Sequence, residues 1–299
     1  MEQTTNTKAS LPGFISLVKE SLQIYRLKWK VFFKIIFVSF GVAMAIMLCF
    51  VPGVLLTLPI LAFNIWVGIT VIIVLTIAEF LAAAYFSSWF GAAMIVVLRD
   101  NQEDIGFREA MKRAKPYIIQ YLWASIISGL IVMFGWVFFI IPGIIFSIWF
   151  MFPRYAVVVD NERGMTAVLK SKGYAKGYFW DIFLLAALGI IAIYIPQGII
   201  SSLKIPLVDL AMGLLIAPLW VIYPYLIFKH LKETKKDLIF APTAREKNFF
   251  AVLGVITLLI IIVFVGLLVY FAPQIENAIE QYQKQLPGAT IPFERNGAV

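Results

Sequence analysis

The fold class predicted for this chain is all-α: a polytopic transmembrane helical bundle of about seven spans. Three observations predict it. The chain is 62% hydrophobic and only 14% charged, whereas a soluble domain is about half apolar and a quarter charged. The apolar residues come in solid blocks long enough for a bilayer crossing, which takes about 20 residues, and not in the short alternating strands of a β-barrel. The basic residues bunch into four segments, each separated from the next by a pair of apolar blocks.

Residues 1–10 are polar and are expected to be disordered. From Pro12, apolar residues recur at Phe14, Leu17, Val18, Leu22, Tyr25 and Trp29, with Lys19, Glu20, Gln23 and Arg26 on the other side. That spacing predicts an amphipathic helix on the membrane surface. The first span follows at about Val31–Val51 and is expected to end at Pro52-Gly53, because Pro lacks an N–H and Gly tolerates positive φ. Residues 54–64, with Pro59 and Asn64, read either as a loop or as part of a span. A long second helix then covers about Ile65–Leu98.

A second amphipathic segment sets Phe107, Ala110, Met111 and Ala114 against Arg108, Glu109, Lys112, Arg113 and Lys115. The third span runs from near Ile118 to Ile141, turns at Pro142-Gly143, and returns as a fourth span over Ile144–Asp160. A third amphipathic segment opposes Met165, Val168 and Leu169 to Lys170, Lys172 and Lys176. The fifth span, Phe179–Ile195, is expected to turn at Pro196-Gln197-Gly198, and the sixth covers about Leu207–Phe228. Residues 11–230 thus form a repeat-built transmembrane domain. Residues 231–248 read as a basic loop, 249–271 as an extra transmembrane helix, and 272–299 as a polar tail.

A shift of 57 residues superposes Arg113 on Lys170, Lys115 on Lys172, Tyr117 on Tyr174, Tyr121 on Tyr178 and Trp123 on Trp180. Together with the similar order of parts in residues 11–98, this predicts three repeats of amphipathic helix plus hairpin, followed by one C-terminal span. Orientation follows from charge. Segments 1–34, 99–117, 154–176 and 229–247 hold 22 of the 25 Lys and Arg residues. The positive-inside rule therefore places the N-terminus and the amphipathic segments in the cytoplasm and the C-terminus outside, in a cytoplasmic or plasma membrane.

Ile141-Pro142-Gly143, Trp149, Pro153-Arg154, the valine run 157–159 and the spaced Ala167, Leu169, Ser171, Gly177 and Trp180 carry a family pattern. Over residues 11–230 the chain resembles a broad group of multi-pass proteins related to the membrane domain found beside some glycerophosphoryl diester phosphodiesterases. The resemblance implies architecture more than activity, since most of that group has no assigned reaction. The phosphodiesterase barrel itself needs His and acidic metal ligands that this chain does not supply.

Composition narrows the chemistry. One Cys (Cys49) and one His (His230) leave no disulfide framework and no Cys/His zinc site,. No cofactor is implied, and no phosphate loop or nucleophile–base set appears. The +8 net charge lies at span ends, so it does not point to nucleic acid. The one acid in the middle of a span is Glu79, a candidate intramembrane polar site that is either functional or structural. Lys112, Arg113, Lys115, Lys170, Lys172 and Lys176 are candidate contacts for anionic lipid. The leading expectation is a non-catalytic integral membrane protein that organises lipid or scaffolds a partner; a protein partner or a second copy is compatible with it. The alternatives are a small-solute transporter or channel using Glu79 and, third, a membrane-embedded lipid enzyme.

Overall fold

The computed structural model describes residues 11–202, 204–236 and 242–285. The expected disorder of residues 1–10 falls outside them, as do 237–241 in the basic loop and 286–299 in the tail. Among the described residues the chain is helical without strands, and seven helices are long and apolar enough to cross a membrane. It is a multi-pass membrane protein.

α1 (Phe14–Phe63) joins the first amphipathic segment and the first span into one 50-residue helix. It does not end at Pro52-Gly53, contrary to the sequence expectation. Both Pro52 and Pro59 lie inside it, and residues 54–64 are helical as far as Phe63. Proline removes one backbone bond. Leaving the helix within hydrocarbon would strip several backbone groups of partners, so the helix continues. The stop is Asn64, whose extended backbone (φ −150°, ψ 108°) turns the chain. Its side-chain Oδ1 accepts the Val67 N–H at 3.3 Å, capping the start of α2 (Ile65–Arg99),.

The second unit opens with α3 (Phe107–Ala114), which buries Ala110, Met111 and Ala114. A single 3-10 turn then leads into α4 (Ile118–Phe138). Here too the reversal is displaced from the expected Pro142-Gly143. It occurs at Phe139 (φ −158°, ψ 144°), and Pro142 falls in the first turn of α5 (Ile140–Trp149), where a missing N–H costs nothing,. Gly143 has a packing role instead. A Cβ there would lie 2.7 Å from the Trp136 ring, and one on Gly135 would lie 2.9 Å from the Gly143 backbone. Two glycines let α4 and α5 meet closely. The fourth crossing then breaks at residues 150–152 before α6 (Pro153–Asp160).

The third unit starts at Gly164, 57 residues after Phe107, so the spacing of the sequence repeat is also the spacing of the surface helices. α7 (Gly164–Ala175) does not lie on the surface by one face. Ala167, Val168, Leu169, Ser171, Tyr174 and Ala175 are all buried. α8 (Phe179–Ser201) continues through Pro196 and Gly198, so the expected turn is displaced beyond Ser201, and Lys204 takes φ +54°. The sixth crossing is broken at Ala217-Pro218 into α9 (Pro206–Ile216) and α10 (Leu219–Thr234).

α11 (Ala244–Gln285) starts inside the expected basic loop and extends into the expected polar tail. Thr243 and Glu246 explain its start. The Thr243 hydroxyl accepts the Glu246 N–H at 3.3 Å, and the Glu246 carboxylate accepts the Thr243 N–H at 3.4 Å, forming a reciprocal capping box. α11 joins the bundle through Phe250 and Leu253, packed with Ile131, Phe150, Val168 and Leu169.

The packed core is concentrated at one end of the bundle, where the basic segments converge. Ala92 to Leu98 of α2 are buried on every side, with α1, α3, α4, α6 and α10 around them. Toward the opposite end large apolar side chains face outward, Phe63, Ile141 and Leu207 among them. A face that looks into lipid needs no cover.

Candidate functional site

At the basic end the last residue of α2, Arg99, and the residue after it organise a charged cluster. The Arg99 guanidinium donates to both Asp100 carboxylate oxygens (2.7 and 3.1 Å), to the Tyr117 hydroxyl (3.0 Å) and to the Val158 carbonyl (3.0 Å). Arg113 reaches the same Asp100 at 2.9 Å and also pairs with Glu103 and Glu109. Two guanidinium groups therefore surround one carboxylate. The Arg99 hydrogen bonds hold the Asp100 carboxyl below the usual carboxylate range, against a smaller opposing effect of burial.

A second cluster reproduces this one a repeat later. Lys170, the counterpart of Arg113, pairs with Asp160 at 3.2 Å. Tyr174, the counterpart of Tyr117, donates its hydroxyl hydrogen to Asp160 at 2.8 Å. Lys232 adds a third contact to Asp160 at 2.6 Å. Burial pushes the Tyr174 hydroxyl pKa up, and the neighbouring Asp160 charge reinforces the shift. In both units a cation of the surface helix pairs with an Asp at the end of the preceding return helix; Tyr174 bonds that Asp directly, whereas Tyr117 accepts from Arg99 beside it. The sequence repeat showed the cations and tyrosines. It did not show Asp100 and Asp160, because these are 60 residues apart and fall out of the 57-residue register.

Between these clusters lies a cavity of about 460 Å3. Arg99, Lys170, Lys229, Lys232, Lys235 and Lys236 line it against Asp160 and Glu233. Lys235 also closes the end of α7, donating to the carbonyls of Gly173, Tyr174 and Lys176 at 2.6–2.8 Å, a favourable place for a cation. A smaller cavity of about 330 Å3 shares Arg99, Tyr225 and Lys229 with it. It is also lined by Asn101, whose Oδ1 is buried without a hydrogen-bond partner among the described residues.

The six candidate lipid contacts divide into two groups. Arg113, Lys170 and Lys172 are engaged inside the protein. Lys172 pairs with Glu246 at 3.3 Å and lies 4.9 Å from the Phe250 ring centroid and 5.4 Å from that of Trp149. Lys112, Lys115 and Lys176 are exposed. The engaged residues still show helical spacing in the sequence, which is why they could not be separated from the exposed ones there.

Trp29, Trp123 and Trp180 are exposed at the basic end, where amphipathic rings suit a headgroup layer. Trp89 of α2 reaches the same level, since its Nε1 donates to the Met111 carbonyl of α3 at 2.9 Å. Glu79 lies ten residues further along α2. That is about 15 Å at the helical rise, or roughly half of a hydrocarbon core of about 30 Å. It is half-buried and lines a cleft of about 580 Å3 between α1, α2 and α9.

Comparison with protein-family models, curated proteins and solved structures finds no match to this chain. The site must therefore be read from its own residues. Among the described residues, no group of three or more His, Cys, Asp or Glu side chains could hold a metal ion. Cys49 is exposed on α1.

One residue that sequence reasoning left unassigned is Ser171. Its hydroxyl donates to the Trp149 carbonyl at 2.7 Å and accepts the Phe152 N–H at 3.0 Å. The break in the fourth crossing follows from Pro153, which cannot supply the N–H that the Trp149 carbonyl would receive in a continuous helix. Ser171, fully buried on α7, replaces that donor and satisfies the freed amide as well. Nearby Gly177 takes φ +87° in the turn before α8, a conformation open to glycine at little cost,.

Proposed function

We propose that the protein is a non-catalytic integral membrane protein of the cytoplasmic membrane that organises anionic lipid around its basic end. In this reading the basic end faces the cytoplasm, as the excess of Lys and Arg on that side implies. The observation that carries the reading is an imbalance of charge at headgroup level. Glu20, Asp100, Glu103, Glu109, Asp160, Glu162 and Glu246 each have a Lys or Arg partner within the protein. Lys112, Lys115 and Lys176 stay exposed near the Trp belt with no carboxylate partner among the described residues. Each Lys near an anionic surface contributes about 1 kcal/mol, so the three together favour anionic over neutral lipid by about 3 kcal/mol. The resemblance to the phosphodiesterase-associated membrane domains is compatible with this role, since those domains need not carry the reaction themselves.

The test is lipid retention in mixed nanodiscs of phosphatidylglycerol and phosphatidylcholine, read by mass spectrometry of the bound lipids. Replacing Lys112, Lys115 and Lys176 by Gln should remove the enrichment of phosphatidylglycerol. Replacing the engaged Arg113, Lys170 and Lys172 should lower stability more than enrichment. Unchanged enrichment in the first variant would remove the proposal.

A further inference from the structure

The cleft around Glu79 has a chemistry distinct from the basic end. Of the residues lining it, Glu79 alone is charged, and the polar company is limited to Ser39 and Ser87. The Ser39 hydroxyl is already directed to the Ile36 carbonyl of its own helix at 3.0 Å. Among the described residues Glu79 has no ion pair and no hydrogen-bond partner. Three phenyl rings, Phe40 of α1 and Phe86 and Phe90 of α2, line the same cleft. The volume of about 580 Å3 falls within the range of about 300–1,000 Å3 usual for small-molecule sites.

A carboxyl at mid-bilayer depth is costly unless something compensates it. A metal ion is a poor candidate, because hard cations take six or more oxygen ligands and the cleft offers one carboxylate. A neutral acyl chain would fill the space without using the one ionisable group that lines it. An anionic amphiphile would be repelled. A lipophilic organic cation meets all the constraints. Its charge pairs with Glu79, and its apolar bulk matches the apolar and aromatic remainder of the lining. We propose that the cleft between α1, α2 and α9 is a binding site for a lipophilic organic cation, its charge paired with Glu79 and its apolar bulk against the rest of the lining, Phe40, Phe86 and Phe90 included. The cleft runs from Glu79 toward the basic end as far as Met94, so its Glu79 end is at hydrocarbon depth and a ligand held there reaches it from within the bilayer. The site is independent of the anionic-lipid reading, which concerns the other end of α2.

The experiment uses the full chain in phosphatidylcholine nanodiscs and equilibrium dialysis of labelled tetraphenylphosphonium, with empty nanodiscs measuring partition into lipid. The expected result is saturable binding that weakens at least tenfold in Glu79→Gln and is partly retained in Glu79→Asp. Tetraphenylborate, similar in size and opposite in charge, should show no saturable binding. Ala83→Trp fills the cleft while keeping the carboxyl group and should also abolish binding, so the idea stays testable if Glu79→Gln does not fold. Equal binding by the wild type and Glu79→Gln, binding retained in Ala83→Trp, or saturable tetraphenylborate binding would each overturn the assignment.

Discussion

Ser171→Ala should be among the more destabilising single-atom deletions in this protein. The substitution removes only the hydroxyl, and an Ala at a fully buried helical position introduces no strain of its own. What it leaves behind is a Trp149 carbonyl and a Phe152 amide that no helix bond serves, on either side of the break before Pro153. Leaving a buried backbone group unsatisfied costs about 1–3 kcal/mol. With two groups affected and some local relaxation, we expect a loss of about 2–4 kcal/mol, consistent with the range for broken buried networks. The comparison variant is Ser128→Ala on α4. That hydroxyl is also buried, but it bonds only to the Ala124 and Ser125 carbonyls of its own helix. Such bonds duplicate ones the helix already makes, so the cost should stay below about 1 kcal/mol. Equilibrium unfolding in mixed micelles, followed by tryptophan fluorescence, measures both. If Ser171→Ala lies within about 0.5 kcal/mol of the wild type, the usual scatter for neutral sites, or costs no more than Ser128→Ala, the bridging role is refuted.

Two further predictions concern the charged clusters and the hairpins. The Asp100 carboxyl has its pKa lowered on folding, chiefly by Arg99, so its stabilising contribution is fully present above the ordinary carboxylate pKa and is lost as pH falls through the lower folded-state value. The stability gap between the wild type and Asp100→Asn should therefore narrow on acidification from pH 7 to about pH 3, as measured by unfolding titrations at each pH; a gap that widens toward acid would contradict the sign. Gly135→Ala places a Cβ 2.9 Å from the Gly143 backbone, and such overpacking costs about 1–3 kcal/mol. Gly254→Ala, whose Cβ would sit at an ordinary 3.9 Å from Leu130, should be neutral or stabilising in the same assay.

The turns show where sequence reasoning lost its grip on this fold. Pro52, Pro142 and Pro196, followed by Gly53, Gly143 and Gly198, looked like stops because proline and glycine interrupt helices in water. In hydrocarbon the cost of stopping is higher than the cost of one missing bond, so α1 and α8 continue through their prolines and α5 accepts Pro142 in its first turn. Reversal occurs instead at Asn64, which carries its own capping group, and at Phe139. The start of α11 was legible in principle, since Thr243 and Glu246 have capping-box spacing. The excess of Lys and Arg nearby concealed it.

By itself the sequence determined the class, the number of crossings and the end at which charge collects, because these depend on block length and on the cost of placing charge in lipid. It also determined the 57-residue spacing of the surface helices, which is local and survives in α3 and α7. Only the tertiary structure decided which lysines have a carboxylate partner and which do not, because Lys172 meets Glu246 and Lys232 meets Asp160 across long stretches of chain. It also decided that Ser171 closes the break before Pro153, and that Glu79 lines one cleft with phenyl rings from two helices. A pattern along a chain records which face a residue occupies. What stands opposite that face depends on how separate helices pack.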